Sequence, residues 1–153
     1  LTAARSGEIR FARWGEVDLD EGLWSIPADR MKMKRPHVVP LPPATIEVFR
    51  RAAKFRAPGS DLIFPGQKLK KPMSDMTLLK ILRDMDAGVT VHGFRSAFRD
   101  WVAELTNYPG EVAEAALAHA IPNKVEAAYR RTDFLAKRRQ LMGDWASYCL
   151  GTI

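Results

Sequence analysis

One cysteine among 153 residues is too few for an intramolecular disulfide. Cys149 therefore speaks against a disulfide-stapled secreted scaffold and for a reducing, cytoplasmic setting. Histidine is scarce too, with three in the chain, and no paired Cys and His spacing suggests zinc. No apolar run approaches the ~18 residues of a membrane span, and the opening lacks the basic-then-apolar order of a signal peptide. Internal repeats, low-complexity stretches and long linkers are absent as well. The reading is one domain with no membrane partner, no metal and no cofactor. Because the text opens at Leu1 in the middle of an element, LTAARSGEIRFARW, it reads as a piece of a longer protein.

What is present is positive charge and enough apolar residue to close a core. Lys and Arg number 24 against 18 Asp and Glu, a formal +6, and 46% of the chain is hydrophobic. That balance favours contact with a polyanion.

Periodicity predicts a mostly helical α+β fold with a small three-stranded antiparallel sheet near the N-terminus. Ile9 and Ala12 recur at helical spacing and predict a helix over residues 5 to 14. Val17 to Leu19, the turn Asp20-Glu21-Gly22 and Leu23 to Ile26 read as a hairpin, and His37 to Leu41 as a third strand. Pro42-Pro43 opens a helix to about Phe55, and a short apolar stretch, Leu62-Ile63-Phe64, follows. GQKLKKP reads as a basic surface loop. Ser74 or Asp75 caps a helix to about Met85, Gly88 ends it, and Thr90 caps another carrying HGFRSAFRDWVAEL. After a loop at Asn107 to Gly110 comes the helix EVAEAALAHA. Pro122 interrupts it, and Asn123 with Glu126 resembles a capping box opening a short helix that holds Tyr129. The last amphipathic helix, about 134 to 148, carries Phe134, Leu141, Trp145 and Tyr148.

Several residues along this scaffold suit phosphate chemistry. His92 and Arg95 stand three apart in a first helical turn, where both can face one ligand. Lys32 lies in the run RMKMKR, His119 near a helix end, and Tyr129 beside Arg130 and Arg131. Each has an ordinary reading on its own: Arg5 pairing with Glu8 on a solvated face, Lys32 in an exposed basic loop, His119 as a capping or core histidine, Tyr129 as a packing residue. Together they offer several cationic donors to a phosphate and one hydroxyl able to attack it.

Their order is what makes them specific. Arg, then Lys on a β-hairpin, then His-x-x-Arg, then Leu-Ala-His, then Tyr resembles the catalytic domain of the tyrosine recombinases, particularly phage-type integrases, across essentially all of residues 1–153. ARSGE resembles the first arginine box, HGFRSAFRDW the second, and LAHAIPNKVEAAYRR the stretch from the third histidine to the nucleophile. The resemblance implies that Tyr129 is the nucleophile and that Arg5 and Arg95 grip the non-bridging phosphate oxygens. It further implies that Lys32, with Lys34 as runner-up, protonates the leaving 5′ oxygen, that His92 serves proton transfer, that His119 hydrogen-bonds the phosphate and that Glu8 orients Arg5. His119 and Tyr129 are ten apart where many relatives have nine, so the stretch around Pro122 must absorb one residue.

The same resemblance implies integration or excision of a prophage or genomic island through a 3′-phosphotyrosyl intermediate. Its partners would be double-stranded attachment-site DNA, on which the recombinase forms a tetramer from a chain that is monomeric alone, with a directionality factor or a host DNA-bending protein. The setting would be a bacterial cytoplasm, on the nucleoid, and the arm-binding and core-binding domains would precede this sequence. A DNA-binding module without catalysis, a type IB topoisomerase-like enzyme and a helical interaction protein are the competing readings. Tyr108 and Tyr148 are the next candidate nucleophiles.

Overall fold

The computed structural model describes residues 1–119 and 132–152. Its sheet forms where the sequence alternates: β1 (Val17–Asp18), β2 (Leu23–Ile26) and β3 (His37–Pro40) are antiparallel in the order β1-β2-β3. The Asp18 carboxylate closes the first turn by accepting the amides of Asp20 at 3.0 Å and Glu21 at 2.8 Å. Gly22 completes the return at φ +62, where a Cβ would stand 3.1 Å from the Leu41 carbonyl. Leu19 and Leu41 fall just outside the strands expected to hold them.

Leu41 still donates its amide to Gly22 at 2.8 Å, and Trp24 faces Val39. Alternation therefore turns the backbone groups of Val39 toward β2 and those of Val38 and Pro40 toward the open edge. A proline in that outward position forfeits no ladder bond.

The helices are α1 (Ser6–Arg10), α2 (Pro43–Ala53), α3 (Asp75–Asp84), α4 (Gly93–Leu105), α5 (Gly110–Ala116) and α6 (Leu135–Leu150). Ser74 caps α3, its hydroxyl accepting the Met76 amide at 3.2 Å. Two expectations need correction. The first helix stops at Arg10 rather than near residue 14, because Ala12 is fully buried and its carbonyl takes the Ile63 amide, while Trp14 donates to Asp61. Tertiary pairing overrides local propensity there, and Leu62 of the apolar stretch forms an isolated bridge to Arg13. The helix expected over EVAEAALAHA ends at Ala116. Pro122, the Asn123 to Glu126 box and the helix expected around Tyr129 lie outside the described residues.

Two apolar clusters fill the interior. Trp24, Ile26, Val39, Leu41, Phe49 and Ile63 pack between the sheet and α2; Phe98, Trp101, Val112, Leu141, Met142 and Trp145 pack among α4, α5 and α6. The buried face of α6 runs through positions 138, 141, 142, 145 and 146, and its first member is an arginine. Arg138 is 1% exposed. It donates to the Asp133 carboxylate at 2.8 Å, to the Asp133 carbonyl at 2.7 Å and to the outward-facing Val38 carbonyl at 2.5 Å. One side chain thus straps the helical half of the molecule to the open edge of the sheet, and α6 packs against its own chain. No helix among the described residues is long and apolar enough to cross a membrane.

Candidate active site

Arg5 is the N-cap of α1. A guanidinium cannot accept from helix amides, so the cap is satisfied from the other side. Glu8 accepts the Arg5 amide at 2.7 Å with one oxygen and the Arg5 guanidinium at 2.8 Å with the other. Glu8 is buried and Arg5 partly exposed, so a fixed carboxylate orients a guanidinium that still reaches solvent.

His92 is the N-cap of α4 and Arg95 its third residue. Thr90, expected as the cap, stands two residues before that N-cap, and its hydroxyl takes the Gly93 amide at 3.0 Å, so that amide is already engaged. Arg95 is 6% exposed. It donates to the carbonyls of Ala3 and, at 2.8 Å, Leu117. Those acceptors are neutral and leave its charge uncancelled. Burial, and then the charge of Arg5, lowers the Arg95 pKa, with Glu8 opposing; a guanidinium remains protonated all the same.

His119 arrives through a helix end. The amide of Ala118 donates to Ala115 at 3.1 Å and that of His119 to Glu114 at 3.0 Å, the pairing of a Schellman motif. Ala118 holds φ 49 in a position where glycine is usual. That left-handed residue ends α5 early and turns His119 so that its Nε2 lies 3.3 Å from Nη2 of Arg95.

Lys32 sits in the β2–β3 connection next to Met31, which is buried in the sheet-side core and anchors the loop. Lys34 folds away, with φ 52 and its ammonium on the Asp29 carbonyl at 3.1 Å. A cavity of about 290 Å³ is lined by Arg5, Lys32, Met33, His92, Arg95, Ala118 and His119. Five of the six residues singled out from the sequence therefore meet, on three cations and two imidazoles, and Lys34 is not among them. Such a concentration of positive charge, with Arg95 fixed by burial and Arg5 by Glu8, suits a phosphodiester. The sixth residue, Tyr129, lies outside the described residues.

The other two tyrosines are elsewhere. A larger cavity, about 580 Å³, lies at the far end of α4 and is lined by Trp101, Leu105, Tyr108, Asp144 and Tyr148 among others. The helix separates it from His92 by roughly 20 Å at ~1.5 Å per residue. Tyr108 donates to Asp144 at 2.6 Å. Burial, then that bond and the Asp144 charge, push its phenol up to about 12. Tyr148 packs on Trp101 and Trp145.

Three residues near the cavity had not been singled out. Arg99 and Glu114 are joined at 2.6 Å, and Glu114 reaches Nδ1 of His119 at 2.6 Å. The signal was available: Arg99 is one helical turn past Arg95, and Glu114 is on the helix leading to His119. The third, His37, has no such signal, because only the packing of β3 brings it close to Glu8 and Arg5.

Burial first and then Arg138 push His37 down to about 4 from 6.5; Glu8 and a hydrogen bond to the Ala116 carbonyl oppose this, and Arg5 adds to it. The fold favours the neutral ring, so between these two values the unfolded chain binds more protons. The stability is whole above the upper value and is lost as pH falls through the window, by about 3 kcal/mol in full. Urea midpoints at about pH 7 and about pH 5 should differ, and His37→Gln should shrink that difference. An undiminished difference in the variant would contradict this assignment.

Comparison with known proteins agrees with the geometry. Residues 1–135 match the Phage integrase family. Prophage integrase IntA of Escherichia coli K12 is 39% identical over 149 residues, covering 95% of this chain and 36% of IntA. The integrase of Enterobacteria phage P4 is 37% identical over 166 residues, covering 97% of this chain and 38% of that protein. The chain thus spans little more than a third of the length of these curated relatives. The crystal structure of XerA recombinase superposes with a TM-score of 0.67 at 19% identity, over 92% of this chain and 53% of that one, a likeness of fold.

Proposed function

We propose, because the chain belongs to the phage integrase family, that it is the catalytic part of a site-specific DNA recombinase that cuts and rejoins strands through a 3′-phosphotyrosyl link. The observation that carries this reading is the lining of one cavity by Arg5, Lys32, His92, Arg95 and His119. A scissile phosphate in that cavity would meet the guanidinium forks of Arg5 and Arg95, whose planar donors match its non-bridging oxygens better than ammonium groups would. As the phenol oxygen of Tyr129 bonds to phosphorus, the bond to the 5′ oxygen breaks. Lys32 gives that oxygen its proton, and His92 serves in transferring the proton that the phenol loses.

The removal of Tyr108 and Tyr148 to the far end of α4 supports Tyr129, since the chain holds three tyrosines. The phosphotyrosyl link conserves the energy of the phosphodiester, so a free 5′ hydroxyl from another strand can reverse the step without ATP.

In this reading attachment-site duplex DNA is the substrate, and the recombinase acts as a tetramer on it. Arm-binding and core-binding segments of the parent protein supply the rest of the grip. A duplex carrying the attachment-site core, nicked beside the scissile phosphate, tests the reading when incubated with the full-length parent. A covalent protein–DNA band on a denaturing gel is the expected result. Salt-sensitive binding without a band would replace it with a non-catalytic DNA-binding module.

A further inference from the structure

His119 is bound to Glu114 twice, by its backbone amide at 3.0 Å and by Nδ1 of its ring at 2.6 Å. The second carboxylate oxygen of Glu114 is held by Nε of Arg99 at 2.6 Å, and Arg99 lies one turn along α4 from Arg95. The four side chains close a ring: Arg95 to His119, His119 to Glu114, Glu114 to Arg99, and Arg99 back through the helix to Arg95. We propose that Glu114, steadied by Arg99, is a positioning residue that fixes which nitrogen of His119 carries a proton and aims the other into the cavity. This rests on the recombinase reading given above.

An ionised carboxylate only accepts, so Nδ1 of His119 must carry the hydrogen that meets it. Nε2 of the neutral ring is then bare and accepts from Nη2 of Arg95, which stands 3.3 Å away. With Nδ1 committed, His119 donates to a phosphate oxygen only after its ring gains a proton at Nε2, the nitrogen on the phosphate side. Burial alone would raise the Glu114 carboxyl, but hydrogen bonds from Arg99 and His119, and their charges, hold it below the usual carboxylate range. The left-handed Ala118 is part of the same device, because it brings the His119 amide and ring onto the same glutamate.

Nitrogen-15 spectra of histidine-labelled protein test this directly, with His119 assigned by the signal lost in His119→Asn. The neutral ring should carry its proton on Nδ1. In Glu114→Gln the side-chain amide can turn its NH2 to that nitrogen, and the proton should move to Nε2. Covalent adduct formation should slow on the order of 10- to 100-fold, as when the outer partner of a functional histidine is lost, with DNA affinity little changed. Glu114→Asp, which keeps the carboxylate, should recover part of the rate. A proton on Nε2 in the wild type would overturn the proposal even if Glu114→Gln failed to fold. So would a Glu114→Gln protein with unaltered tautomer and rate. A wild-type parent that forms no adduct would overturn the recombinase reading instead, whichever tautomer the spectrum reports.

Discussion

Replacing Arg95 by lysine should slow formation of the covalent protein–DNA product by on the order of 10²- to 10³-fold, the usual effect of losing one fixed donor to a developing oxyanion. Lysine keeps the charge, so long-range attraction to DNA should survive and affinity should fall far less than rate. It cannot keep the geometry. Arg95 donates to the Ala3 and Leu117 carbonyls while its Nη2 also faces His119, and a single ammonium cannot make those bonds and grip a phosphate too. Its burial makes the position intolerant of a displaced side chain. Rates on the nicked duplex, with affinity measured in parallel, separate the two effects. A lysine variant that cleaves at the wild-type rate would mean that Arg95 serves only to hold α4 against the N-terminal segment.

Arg138→Met should destabilise the fold by about 2–4 kcal/mol, read as a lower urea midpoint. Two part-buried acceptors, the carbonyls of Val38 and Asp133, would lose a donor, at up to ~1–3 kcal/mol for each group left without a partner. Relief from burying a guanidinium offsets part of this, and the burial that lowers the Arg138 pKa shows that such a cost exists. The Asp133 carboxylate contributes little, being 63% exposed, so Asp133→Asn should cost under about 1 kcal/mol. Arg138→Met should also slow cleavage. The arginine ties α6 to β3, and the cavity lies between a sheet-side lysine, Lys32, and a helix-side arginine, Arg95. A stability change below about 1 kcal/mol would mean that the desolvation penalty cancels the strap.

Much of this was legible in the sequence because the informative residues are local. Asp20-Glu21-Gly22 marks its turn, Pro42-Pro43 opens a helix, and His92 with Arg95 makes a one-turn pair at a helix start. What escaped depends on contacts between distant segments. Nothing near Ala12 announces that its carbonyl will take the Ile63 amide and end α1. Ala118 gives no glycine to mark the early end of α5. Arg138 reads as one more exposed charge until β3 presents Val38 to it, and His37 is an ordinary strand residue until Glu8 and Arg5 pack nearby. The different placement of Lys32 and Lys34 likewise comes from the loop, where one lysine lines the cavity and the other bonds to the Asp29 carbonyl.

Tyr129 is the attacking group in the proposed reaction, and mapping the covalent product tests that most directly. The adduct formed on nicked attachment-site duplex would be digested and the nucleotide-bearing peptide identified by mass spectrometry, alongside Tyr129→Phe. A 3′-phosphate ester on the peptide containing Tyr129, and no adduct from the phenylalanine variant, is the expected result. An adduct that persists in Tyr129→Phe, or one carried by Tyr108 or Tyr148, would contradict it.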